Sequence, residues 1–128
     1  MAHFRWALAQ IKLGRFAEAR AKLEEEIKAL PGNKEVAQVL VRLLSACPDS
    51  RIRDGQQAMA LVQSVFTDQN NPNFAQTVAM AFAETGQFDQ AVKLQLIAVD
   101  AARDSNFPAL QKMLTEDLAR YQRRQPCR

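Results

Sequence analysis

Apolar residues recur along this chain at intervals of three and four positions, the spacing that aligns side chains on one face of an α-helix. Phe16, Ala19, Leu23, Ile27 and Leu30 form one such stripe, and Phe107, Leu110, Leu114, Leu118 and Tyr121 repeat its offsets. Val36, Leu40, Leu43, Leu44 and Cys47 form another, as do Ala58, Leu61, Val62 and Val65. Nowhere do β-branched residues alternate with polar ones for the length of a strand. The pattern predicts seven helices, at about 2–13, 16–29, 34–47, 54–67, 72–85, 88–103 and 107–123.

Breaks between the stripes carry their own signals. Pro31-Gly32-Asn33 separates the second helix from the third, and Pro48 stops the third because its ring clashes with the preceding turn. Asn70-Asn71-Pro72 offers a cap followed by proline at the first helical position, and Asp104-Ser105-Asn106-Phe107-Pro108 reads as a similar start. Two segments align as Gly-x-Phe-x-x-Ala: Gly14, Phe16 and Ala19, then Gly86, Phe88 and Ala91. Their glycines stand two periods of about 36 residues apart, close to the period of stacked helical hairpins. The middle period is filled by the third and fourth helices, joined by the longer connection Pro48-Asp49-Ser50-Arg51-Ile52-Arg53.

These residues resemble the tetratricopeptide repeat family over nearly the whole chain. The family places small residues where two helices cross, aromatics where they wedge, and a proline after the second helix. Gly14, Phe16, Ala19 and Pro31 fit in the first repeat; Leu40, Leu44 and Ala58 in the second; Ala79, Phe82, Gly86, Phe88, Ala91 and Ala98 in the third. Glu26, Gln95 and Arg103 depart from the pattern. The resemblance implies an all-α, right-handed superhelical solenoid of about three hairpin repeats, at about 1–31, 33–67 and 72–103. A capping helix at about 107–123 and a short basic tail, 124–128, complete a single domain. The long turn from Ser45 to Gly55 and the ending Tyr121-x-x-x-x-Pro126-x-Arg128 resemble bacterial members. By that resemblance the chain is the C-terminal end of a longer array, sometimes attached to a membrane or catalytic region.

Composition agrees with a folded domain: 48% of the 128 residues are apolar and 24% are charged, with both signs interspersed. A chain of this length buries roughly two-thirds of its unfolded surface. The net charge of +3 is a mild excess, and most of the cations are scattered rather than set in a stripe, which argues against nucleic acid as partner. Arg120, Arg123, Arg124 and Arg128 lie near Tyr121 and could contact phosphate, but cations also belong at a helix C-terminus and Tyr121 completes an apolar stripe. No apolar run approaches the roughly 20 residues of a membrane-spanning helix, and the first residues lack the pattern of a signal peptide. A cytoplasmic setting is the expectation, or a periplasmic one within a larger protein.

Chemistry-bearing residues are sparse. His3 has no partner at metal-ligand spacing, and Cys47 and Cys127 are widely separated, so no metal or cofactor is expected. Cys47 ends an apolar stripe and reads as a small buried residue. Glu24-Glu25-Glu26 splays around a helix as a solvated face. The four glycines are isolated, so no phosphate-cradling loop exists. Enzymatic activity has no support in these residues.

The resemblance implies a concave groove lined by the first helix of each hairpin, at Phe4, Leu8, Lys12, Gln38, Arg42, Gln76, Met80 and Glu84. Such a groove suits an extended peptide or a partner helix; equally, Phe4, Leu8 and Met80 are candidates for plain inter-repeat contacts. The function expected is that of a protein–protein interaction scaffold. The alternative is a non-catalytic recognition or oligomerisation module of a larger bacterial enzyme. A helix beginning near residue 2, with Phe4, Trp6, Leu8 and Ile11 uncovered, also raises self-association through the N-terminal helix.

Overall fold

The structure, a computed structural model, describes residues 9–47, 49–66 and 72–126. Every regular element among them is helical: α1, described over 9–12, then α2 (Phe16–Ala29), α3 (Lys34–Ala46), α4 (Gly55–Val65), α5 (Pro72–Glu84), α6 (Phe88–Asp104) and α7 (Pro108–Gln122). Where described, the bounds fall within two residues of those the apolar periodicity predicts.

Local chemistry sets most of the ends. Asn33 caps α3 by accepting from Val36 N at 3.3 Å, and Asp54 caps α4 by accepting from Gln57 N at 3.0 Å. Gly14 and Gly86 take the left-handed conformation, with φ of +78° and +80°. Each follows a helix end whose carbonyls are satisfied backwards: Gly86 N bonds to Ala83 O and Gln87 N to Phe82 O, a pattern repeated at Ile11 and Gln10. Glycine tolerates this backbone without a Cβ clash, which is why the repeated motif begins with it. Two residues later Phe16 and Phe88 open the next helix half-buried, and Ala19 and Ala91 are wholly buried where helices cross.

Pro108 takes the first helical position of α7, as the segment Asp104 to Pro108 predicts, but the residues before it act otherwise. Asn106 sits at φ +59° with its N–H on Arg103 O, and Phe107 N bonds Ala102 O, so the polar cluster closes α6. No side chain caps α7. The start signal at Asn70-Asn71 lies outside the described residues.

Consecutive helices from α2 to α7 pack on one another, and α3 also packs on α5. Two apolar clusters result. The larger draws on α2 to α7 and includes Leu23, Leu40, Leu44, Val62, Phe66, Val78 and Tyr121. The smaller is built from Ala75, Ala98, Val99, Ala102, Leu114 and Leu118, where α7 lies on α6. Cys47 is buried at the end of α3, and Tyr121 is buried at the end of α7.

Both apolar stripes lose their ends. Leu30 lies just past α2 in non-helical backbone (φ −134°), which rotates it out of phase, and it is 58% exposed. Phe107 precedes α7 and is 60% exposed, and Leu110 is 38% exposed. The first turn of α7 faces the short alanine side chains of α6, too shallow a surface to cover a large residue.

The long α3–α4 connection is held from two sides. Arg20 of α2 donates to Ile52 O at 3.0 Å and to Gln57 Oε1 at 2.8 Å, and pairs with Glu24. Arg53 donates to Cys47 O at 2.6 Å and reaches Glu84 Oε2 of α5 at 3.6 Å. Asp54 N bonds Leu44 O at 2.8 Å, closing the connection onto α3.

Candidate functional site

Three of the expected groove residues come together between α3 and α5. Gln38 and Arg42 lie one turn apart on α3 and face the first turns of α5. Gln38 Nε2 donates to Thr77 Oγ1 at 3.0 Å, Arg42 Nε donates to the same oxygen at 2.8 Å, and an Arg42 Nη donates to Gln76 Oε1 at 3.2 Å. Thr77 is wholly buried, whereas Gln38, Arg42 and Gln76 are half-buried. A hydroxyl without water must find partners in the protein; here two donors from the facing helix converge on it. One turn before Gln38, Lys34 places its Nζ 5.6 Å from the centroid of the Phe74 ring on α5.

Thr77 is the residue that sequence reasoning misses. A threonine inside a helix is neutral in propensity, and nothing in its neighbours marks it as an acceptor. Its separation from Arg42, close to one repeat period, is the signal that could have found it.

The other candidates go elsewhere. Lys12 is exposed near the end of α1. Met80 is 8% exposed within the larger apolar cluster, and so serves packing. Glu84 sits beside Arg53, both under one-fifth exposed, and holds the α3–α4 connection. Phe4 and Leu8 lie outside the described residues, as does Trp6; Ile11, the remaining residue of the surface considered for self-association, is half-buried and packs against the larger cluster.

Two clefts flank the polar seam. One, of about 180 Å³, is lined by Ile11, Phe16, Leu43, Ala46 and Cys47, with Arg42 on its wall. The other, of about 260 Å³, has Gln76 on its wall and is otherwise bounded mainly by alanines of α6 and apolar residues of α7. The Arg42–Gln76 hydrogen bond thus joins the wall of one cleft to the wall of the other.

The chain matches no family model, no curated protein and no solved structure. Among the described residues no group of three or more His, Cys, Asp or Glu side chains is placed to hold a metal ion. No described helix is long and apolar enough to cross a membrane.

Two basic residues at the end of α7 and just after it are paired with acidic ones. Arg120, in the last turn, reaches Asp117 at 3.3 Å, and Arg124 approaches Asp89 of α6 at 3.9 Å, while Tyr121 is buried at 1% exposure. An aromatic so placed has no face free for a nucleic-acid base.

Proposed function

We propose that the chain is a protein–protein interaction scaffold, a tetratricopeptide-like solenoid that holds a peptide or partner protein along the α3–α5 side. The period near 36 and the contact of α3 with α5 across the intervening α4 support a stacked row of hairpins. The observation that carries the reading is the seam of Gln38, Arg42, Gln76 and Thr77, flanked on both sides by clefts. Mutual hydrogen bonds hold these side chains in place before a partner arrives, which lowers the entropy lost on binding.

Affinity purification with the wild-type chain and with Arg42→Glu, followed by mass spectrometry, tests the proposal. Because Arg42 also steadies the seam through Thr77, Thr77→Val serves as the stability control. A partner lost from Arg42→Glu but retained by Thr77→Val at a comparable melting temperature supports the reading. Equal losses of affinity from the two variants count against a binding role for the seam.

A further inference from the structure

We infer that α7 is a displaceable cap: it lifts from α6 at its N-terminal end while α2 to α6 stay folded, and the buried amide of Gln95 is the latch between the two positions.

The attachment of α7 is uneven along its length. Every residue from Arg103 to Leu110 is exposed, and between Pro108 and Met113 only Gln111 is half-buried. The large apolar side chains of this stretch, Phe107, Leu110 and Met113, are open to solvent, and no side chain caps the helix start. α3 begins in the opposite way, with Asn33 as its cap and Val36 and Ala37 buried in its first turn. A helix as short as α7 is marginal in water unless one face packs. Its first turns therefore hold only while the later ones stay docked.

Docking begins at Leu114. Leu114 and Leu118 meet Ala75 of α5 and Ala98, Val99 and Ala102 of α6, in an apolar cluster distinct from the larger one. Three of these four facing residues offer a single methyl group each, so the interface is thin. Among the described residues of α7, Tyr121 alone belongs to the larger cluster. Regions with few buried apolar contacts open separately from the rest of a fold. Here the opening leaves the Tyr121 end as the pivot.

Gln95 lies wholly buried between the two helices. Its Nε2 donates to Leu114 O at 2.9 Å, while its Oε1 has no hydrogen-bond partner among the described residues. Lifting α7 lets water reach both ends of the amide, so the closed form carries a cost that the open form relieves. The latch thus narrows the gap between the two positions. Opening also carries Leu110 and Leu114 away from the wall opposite Gln76, so the cleft on that side of the seam exists in the closed form alone.

Hydrogen–deuterium exchange read by mass spectrometry on the full 128-residue chain tests this. Amides of residues 108–118 are expected to exchange at least about tenfold faster than those of α3 and α5. Thr77→Val weakens the α3–α5 contact in both positions of the cap. It should speed exchange in α3 and α5 by at least about fivefold and leave α7 unchanged. Gln95→Leu, which removes the unpaired acceptor, should slow exchange in α7 by about fivefold. Acceleration of α7 in step with α3 in Thr77→Val would mean that the helices unfold as one unit and would overturn the cap. Unchanged α7 exchange in Gln95→Leu would overturn the latch. Neither readout involves a partner, so either failure leaves the scaffold reading untouched.

Discussion

Arg42 and Thr77 lie 35 positions apart in sequence, yet the guanidinium Nε of one donates to the hydroxyl oxygen of the other at 2.8 Å. The contact joins α3 to α5, two helices that are not consecutive, and it is shared with Gln38. Replacing Thr77 with valine keeps the volume and removes the acceptor from both donors. Thr77→Val is expected to cost about 1–3 kcal/mol in denaturant unfolding, because two polar groups lose a partner at once. A double-mutant cycle with Arg42→Met should be non-additive; strict additivity would mean that the two side chains do not interact in solution.

Arg53 ties the α3–α4 connection to two helices, whereas Arg51 only pairs with Asp49 at the surface, its own side chain 87% exposed. Arg53→Met is expected to lower stability by about 2 kcal/mol, the worth of hydrogen bonds that involve a charged group. Arg51→Ala should change it by less than about 0.5 kcal/mol. Equal melting temperatures for the two variants would remove the pinning role of Arg53.

Gly14→Ala and Gly86→Ala each place a Cβ on left-handed backbone and should cost about 1 kcal/mol. Gly32→Ala meets no atom within 4 Å and its φ is not in that region, so it is expected to be neutral or slightly stabilising. Thermal unfolding of the three variants separates the cases.

Gln95 is wholly buried, donating to Leu114 O at 2.9 Å while its Oε1 has no partner among the described residues. A buried acceptor left unpaired costs more than an ordinary hydrogen bond returns. Gln95→Leu is therefore expected to raise stability by up to about 1 kcal/mol. A loss above about 2 kcal/mol would reveal a partner for that oxygen, an ordered water being the simplest.

The Arg51 side chain, and then its backbone N–H, hydrogen-bond the Asp49 carboxylate and hold its pKa below the ordinary value. A depressed folded-state pKa adds stability that is fully present above the unfolded value near 4 and is lost as pH falls through the folded one. The Asp49→Asn variant should thus lose the part of the acid limb that the wild type shows below about pH 4. Matching acid unfolding curves for the two proteins would exclude the contribution.

The sequence by itself determined the helical class and, where the structure describes them, helix bounds to within a residue or two. It could do so because periodicity, proline and left-handed glycine act within a few residues of where they stand. Gln38, Arg42 and Gln76 could be named as candidates only through the resemblance to tetratricopeptide repeats, which implies groove positions on the first helix of each hairpin. Only the tertiary structure decided that these three share Thr77, that Met80 packs inside, that Glu84 steadies the α3–α4 connection, and that Phe107 and Leu110 rim a cleft. Those outcomes depend on which helix lies opposite and how deep its side chains are. The alanines of α6 leave room under α7 that no stripe on α7 alone could foretell.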